Sequence, residues 1–335
     1  MDRKIDQALR LIRGGGRLSL DQSMDMATSC SVDDLVAGAN SLREEYHNDK
    51  IDLCSIVNAA SGSCSEDCRF CAQSAHHSVG IDHYYAVEPS FALKLAKIND
   101  AHGVQRFSFV TAGRSIVPRR IKALAPIIDS VKADTDMELC ASMGLLTKER
   151  AEELVSLGIT RYHCNLEASR SYFPKICTTH TWDDKVETIR IAKEAGMEVC
   201  SGGIIGLGES LRQRLELACE LRDLEIRSIP INVLNPIPNT PFSDLQPLSK
   251  DEVFQAIAMF RFINPDAVIR MAGGRALLGD AQEQCFTSGA NGAIVGDYLT
   301  TTGTTLKRDL EMFSRLGFDL KNKVGTKEGG NGATA

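Results

Sequence analysis

The chain has 335 residues, 43% hydrophobic and 24% charged, with a net charge of −6. That is ordinary globular composition, with chain enough for one large domain or two. No basic run marks a nucleic-acid or membrane-surface partner, no apolar stretch reaches membrane-spanning length, and Met1-Asp-Arg-Lys-Ile-Asp-Gln7 lacks a secretory signal's apolar segment, so a cytoplasmic protein is expected.

Residues 1–48 read as a helical extension. Helical periodicity covers Ile5 to Ile12, Ser19 to Ala27 and Ser31 to Tyr46, with Gly14-Gly15-Gly16 between the first two. Ser31 ahead of Asp33 and Asp34 is a helix start.

From residue 51 short β-branched runs alternate with longer amphipathic segments. Strands are expected at Ile51–Asn58, Arg106–Thr111, Glu138–Ser142, Arg161–Leu166, Glu198–Ile205, Ser228–Leu234, Ala267–Met271 and Gly292–Gly296. Helices are expected at Ser90–Ala101, Pro118–Ala133, Thr147–Leu157, Trp182–Ala195, Leu211–Leu224, Ser249–Phe262, Ala276–Phe286 and Leu306–Leu316. Regular alternation of this kind predicts a (β/α)8 TIM-type barrel over residues 49–318, with an open doubly wound sheet as the competitor. Residues 319–335 end in Lys-Glu-Gly-Gly-Asn-Gly-Ala-Thr-Ala and read as a disordered tail.

The most informative segment follows the first strand: Cys64-Ser-Glu-Asp-Cys68-Arg-Phe-Cys71. Three thiolates on one short loop hold three corners of a 4Fe–4S cube and leave the fourth iron open to an exogenous ligand. The alternative is zinc, completed by His76 or His77, although zinc sites more often use paired C-x2-4-C units. The eleven cysteines suit reduced thiols in an intracellular protein better than a disulfide framework, and Cys30, Cys54, Cys219 and Cys285 read as ordinary buried residues.

The reactive face of such a barrel lies at the C-terminal ends of its strands. Polar residues recur within those strands: Ser108, Cys140, His163, Cys164, Asn165, Cys200, Asn232 and Arg270. An interior ring of thiols, amides and a guanidinium is costly unless something binds it. Alternation puts His163 and Asn165 on one face and Cys164 on the other. Gly202-Gly-Ile-Ile-Gly-Leu-Gly-Glu209 lacks a nucleotide fingerprint, so close backbone approach to a bound cofactor is the expectation there. Glu167 falls at the rim, and Pro230, Pro236, Pro238 and Pro241 fix the loop after the sixth strand.

A three-cysteine loop after the first strand of a (β/α)8 barrel resembles the radical S-adenosylmethionine (SAM) superfamily, and within it the biotin synthase family. The motifs are Asp52-Leu-Cys-Ser55, Cys64-Ser-Glu-Asp-Cys-Arg-Phe-Cys-Ala-Gln-Ser74, Cys200-Ser-Gly-Gly-Ile-Ile-Gly-Leu-Gly-Glu209, Pro230-Ile-Asn232, Gly289-Ala-Asn-Gly292 and Gly296-Asp-Tyr-Leu-Thr-Thr301. The resemblance implies a 4Fe–4S cluster on Cys64, Cys68 and Cys71 that binds SAM and cleaves it reductively. The resulting 5′-deoxyadenosyl radical would attack dethiobiotin, and sulfur would come from a second, sacrificial iron–sulfur cluster. It further implies that Phe70 packs on the adenine, Asn165 and Glu167 hold the ribose, and His163 and Asn232 face the ureido ring. A flavodoxin- or ferredoxin-type reductant and a homodimer are implied as well.

Cys140, Cys200 and Arg270 match three ligand positions of the family's 2Fe–2S cluster, but the fourth is Ser108 here. Serine is a hard, uncommon iron–sulfur ligand. A differently ligated auxiliary cluster is therefore expected, using Cys164 or Cys177 as the further ligand, of 2Fe–2S type or larger. Two other readings stand beside this: a radical SAM enzyme without sulfur insertion, akin to methylornithine synthase or the hydrogenase maturases, and a zinc-stabilised binding protein.

Overall fold

Parallel strands buried on both faces read as near-continuous apolar runs, and such runs alternate with capped amphipathic helices along this chain. The computed structural model describes residues 2–296 and 305–320. Its strands are β1 (Asp52–Ala60), β2 (Arg106–Thr111), β3 (Glu138–Ser142), β4 (Ile159–His163), β5 (Glu198–Cys200), β6 (Gly203–Ile205), β7 (Ser228–Val233), β8 (Val268–Met271) and β9 (Gly292–Ile294). All pair in parallel in the order β5-β4-β3-β2-β1-β9-β8-β7-β6, and a β5–β7 pairing closes the ring. β5 and β6 both pair with β7 and form two pieces of one barrel strand, so the closed barrel has eight.

The helices are α1 (Arg3–Arg13), α2 (Leu20–Ser29), α3 (Val32–His47), α4 (Pro89–Ala101), α5 (Pro118–Asp134) and α6 (Lys148–Ser156). They continue with α7 (Trp182–Glu194), α8 (Leu211–Asp223), α9 (Lys250–Ile263), α10 (Gln284–Thr287) and α11 (Leu306–Arg315). Capping boxes at Thr181, Ser210 and Ser249 satisfy the first backbone N–H groups of α7, α8 and α9. α3 packs on α9 across Gly38, where a Cβ would stand 2.8 Å from the Phe262 ring. Among the described residues no helix is long and apolar enough to cross a membrane.

Besides shifts of one or two residues at the ends of other elements, such as β1 and β9, the structure departs from the expected elements as follows. The fourth strand begins two residues before Arg161 and ends at His163, with a register shift against β3 between Leu139 and Cys140. The fifth is interrupted at Ser201-Gly202, where a Gly202 Cβ would sit 1.9 Å from the Pro230 carbonyl oxygen. Most of Ala276–Phe286 is 3-10 structure (Arg275–Glu283), broken at Gly279 (φ 55°) before α10. Most of the Gly296–Thr301 motif and of the expected tail lies outside the described residues.

The strand register sorts the interior into layers. Starting from Cys54, pairing through Arg106 leads to Glu138 on β3, and two residues further is Cys140. Cys140 leads through Arg161 to Glu198, and two further is Cys200. Cys200 leads through Ser228 to Val268, and two further is Arg270. Arg270 leads through Gly292 to Asp52, and two further is Cys54 again. The path closes after an advance of eight residues, the shear of a (β/α)8 barrel. Alternate strands thus supply one layer of four side chains: Cys54, Cys140, Cys200 and Arg270. The same construction places Ser108, His163, Pro230 and Ile294 in the next layer toward the strands' C-terminal ends.

Candidate active site

The segment from Cys64 to Ala75 curls over the barrel mouth and is held by its own backbone. Cys64 N–H donates to the Gln73 carbonyl (3.0 Å), and Ala75 N–H donates to the Cys64 carbonyl (2.7 Å). The acidic residues between the cysteines fasten this loop to the one after β4. Glu66 accepts from His180 Nδ1 (2.6 Å) and Thr179 Oγ1 (2.8 Å), and Asp67 accepts from Thr178 N (2.8 Å) and Cys177 Sγ (3.2 Å). Although burial opposes it, hydrogen bonds led by those from Thr178 hold the Asp67 carboxyl well below the usual range.

Cys64, Cys68 and Cys71 border a cavity of about 420 Å³ that also takes in Phe70, Glu167 and Asn232. That is room for a small-molecule cofactor. Glu167 is held at φ 68° by hydrogen bonds to Gly202 and Ile204. Its Oε2 is buried without a partner, and burial raises its pKa. Asn165 Oδ1 accepts from Gly202 N (3.2 Å). Asn232 bridges the tops of neighbouring strands, accepting from Gly273 N (2.8 Å) and donating to the Gly203 carbonyl (3.2 Å). Ser108 and His163 also line the cavity, so it reaches the layer above the thiols. Gly202 and Gly203 instead accommodate neighbouring protein backbone: a Cβ on Gly203 would lie 2.5 Å from the Glu167 carbonyl oxygen.

Beneath the cavity lies the layer of three thiols and a guanidinium. Cys54, Cys140, Cys200 and Arg270 are fully buried. The Cys54 and Cys140 thiols lie within hydrogen-bonding reach of each other, and the His163 ring stands beside Cys140 and Cys200. Burial pushes the Cys200 thiol up, but His163, Arg270 and Arg161 outweigh it and bring the pKa down to about 6. Burial likewise opposes charge on His163, yet Cys200 and Cys140 raise it to about 9. Ser108 Oγ, His163 Nε2 and Arg270 Nε make no directed hydrogen bond.

Below the thiols an ionic floor closes the barrel. Asp52 accepts from Arg270 Nη2 (2.5 Å) and Arg106 Nε (3.5 Å), with Arg161 Nη1 at 3.9 Å. Against the cost of burial, these guanidiniums keep the Asp52 carboxyl well below the usual range, Arg270 contributing most.

The further-ligand candidates lie elsewhere. Cys164 turns away from Cys140 and Cys200, its Sγ donating to the Lys185 carbonyl at 3.8 Å. Cys177 is at the mouth: Cys68 Sγ donates to Cys177 Sγ at 3.7 Å, and Cys177 Sγ is 3.3 Å from His180 Nδ1. Cys68, Cys177 and His180 thus form a compact potential ligand set that the sequence did not single out. Hydrogen bonds from Cys68 and His180 bring the Cys177 thiol down to about 4. His76 Nε2 and His77 Nδ1 are engaged by the carbonyls of Ser65 (3.0 Å) and Cys71 (2.9 Å). Cys54, which sequence alone reads as ordinary packing, faces the interior thiols. The available signal was its even spacing from Asp52 in a strand with another buried polar residue.

A closed parallel barrel with three thiols on the loop after its first strand is the architecture of the radical SAM superfamily, whose profile matches residues 60–221. A Biotin and Thiamin Synthesis associated domain matches residues 230–319. The chain is 54% identical over 322 residues to a biotin synthase of Desulfotalea psychrophila, covering 95% of this chain and 96% of that protein. It is 43% identical over 319 residues to one of Brachyspira hyodysenteriae, covering 95% and 96% respectively. The chain belongs to the biotin synthase family. Its fold is shared with methylornithine synthase (TM-score 0.79, 16% identity, 94% of this chain and 96% of that one). It is also shared with the FeFe-hydrogenase maturase HydG from Carboxydothermus hydrogenoformans (TM-score 0.77, 18% identity, 94% and 78%).

Proposed function

We propose that this chain inserts sulfur into dethiobiotin to form biotin, with SAM as the radical source. The carrying observation is vertical order: a three-thiol loop at the mouth, a cavity beneath it, and a second layer of thiols below that. When bound, the mouth cluster supplies the electron that cleaves SAM, and the deep cluster supplies sulfur. The protein positions the reactants and excludes water.

Phe70, within the cysteine loop, packs against the small apolar cluster of Tyr172 and Phe173 and borders the cavity, where it offers its ring to the adenine. Gly202 N fixes the Asn165 Oδ1 and the Asn165 amide steadies the Glu167 carboxylate, whose unpartnered Oε2 accepts from a ribose hydroxyl. His163 and Asn232 present N–H groups where a ureido ring would lie. On family resemblance, the electron comes from a flavodoxin- or ferredoxin-type reductant, the chain works as a homodimer, and it is cytoplasmic.

Glu167→Gln is expected to weaken SAM binding by roughly tenfold, the value of one hydrogen bond to a charged group. Anaerobic equilibrium binding to reconstituted protein measures this, and an unchanged Kd would remove Glu167 from the SAM site. The function itself is tested by anaerobic incubation with SAM, dithionite and dethiobiotin, followed by mass spectrometry. Appearance of 5′-deoxyadenosine together with a product one sulfur heavier and two hydrogens lighter supports the reading. Deoxyadenosine without sulfur incorporation indicates the radical SAM enzyme that lacks this step, and absence of both refutes radical chemistry.

A further inference from the structure

We infer that Cys54 on β1 is the third thiolate of the deep cluster, completing with Cys140, Cys200 and Arg270 one layer of the barrel; this rests on the sulfur-insertion reading and deepens it. The first support is topological. Barrel side chains stack in layers of four drawn from alternate strands. The pairing register carries Cys54 to Cys140, Cys200, Arg270 and back to Cys54 with no residue left over. Three thiols and one guanidinium therefore occupy a single level, on four strands around the axis.

Contacts agree with that placement. Cys54 lies beside the Cys140 thiol and faces Arg270, and Arg270 also faces Cys200. Ser228 Oγ donates to Cys200 Sγ at 3.2 Å, marking this sulfur as an acceptor within the same enclosure. Ser108 belongs instead to the layer above, with His163, Pro230 and Ile294. Its oxygen would be a poor ligand for iron that soft thiolates can reach. Cys164 and Cys177 are committed to the Lys185 carbonyl and to the mouth.

A second observation points to a ligand among these thiols. Buried polar groups are almost always paired. Yet Arg270 Nε, in the thiol layer itself, is buried without a directed partner, and so are Ser108 Oγ and His163 Nε2 one layer above, where the His163 ring stands against Cys140 and Cys200. Two of the three come from basic side chains. An electron-rich sulfide-bearing group satisfies such N–H donors, as the surroundings of iron–sulfur centres commonly do.

The test is metal and sulfide analysis with Mössbauer spectroscopy on anaerobically reconstituted protein. Wild type is expected to hold two clusters. Cys54→Ala is expected to keep the mouth cluster and cleavage of SAM to 5′-deoxyadenosine, while losing the deep cluster's iron and sulfide. Ser108→Ala is expected to keep both clusters. The inference is overturned if Cys54→Ala retains the wild-type iron and sulfide, or if Ser108→Ala is the variant that loses them. Should Cys54→Ala not fold, the nearly isosteric Cys54→Ser serves: oxygen ligation moves the isomer shift of one deep iron, and a spectrum identical to wild type overturns the proposal. A wild type with the mouth cluster alone defeats the sulfur-insertion reading itself, an outcome separate from failure of Cys54.

Discussion

Replacing Cys64, Cys68 or Cys71 singly with alanine is expected to strip the mouth cluster and reduce 5′-deoxyadenosine formation to that of a protein-free control. On the proposed function each thiolate would be one of three protein corners of a cube whose fourth corner takes SAM. Nothing in the loop stands in for a lost one, because His76 and His77 are tied to backbone carbonyls. Cys177 lies 3.7 Å from Cys68 and is the nearest spare thiol, so Cys68→Ala is the stringent member of the series. Visible absorption, iron content and deoxyadenosine yield on anaerobic protein measure the effect. Wild-type iron and cleavage in all three variants would refute the assignment, and a colourless zinc-loaded wild type would refute iron at this loop.

Asp52→Asn is expected to destabilise the fold by about 3–5 kcal/mol, because removing one partner of a buried ion pair strands the other. Here the stranded group is the fully buried Arg270, while Arg106 and Arg161 keep their pairs with Glu138 and Glu198. In a chain of this size that lowers Tm by roughly 4–7 °C. Its pH dependence is also specified. A carboxyl whose folded pKa is depressed contributes stability above its unfolded value near ~4, and loses it as pH falls through the lower folded value. The gap between wild type and variant should therefore be full at neutral pH and narrow only in strong acid. Thermal unfolding of the two proteins at pH 7 and under acidic conditions checks both points. A Tm within a degree of wild type at pH 7 would show that the floor does not depend on this ion pair.

The barrel was legible because its strands carry a local signal. Arg106–Thr111 and Glu138–Ser142 have the same bounds in sequence and structure: the first is rich in aromatic and β-branched residues, and the second is a short apolar run, Leu139-Cys-Ala141, between two helical segments. Where sequence and structure differ, the cause is non-local. The break in the fifth strand falls at Gly202, where the Pro230 carbonyl leaves no room for a side chain, an approach no window of sequence contains. The early start of β4 accompanies its register shift against β3. In the site, the clustered cysteines at 64, 68 and 71 announced themselves by spacing. Cys54 did not, because a solitary cysteine in an apolar strand looks like packing. Only closure of the barrel, which fixes the stagger between distant strands, brings it level with Cys140 and Cys200. The pairing of Cys68 with Cys177 and His180 likewise depends on two loops docking through Glu66 and Asp67.

The ionic plug of Asp52 and its arginines bears on how the enzyme would be restocked. With Asp52 and its arginines packed under the thiols, the cavity at the barrel mouth approaches that layer from the Cys64–Cys71 side. A sulfur store held among Cys54, Cys140 and Cys200 would share that approach with the reactants, so filling it and using it would draw on the same space.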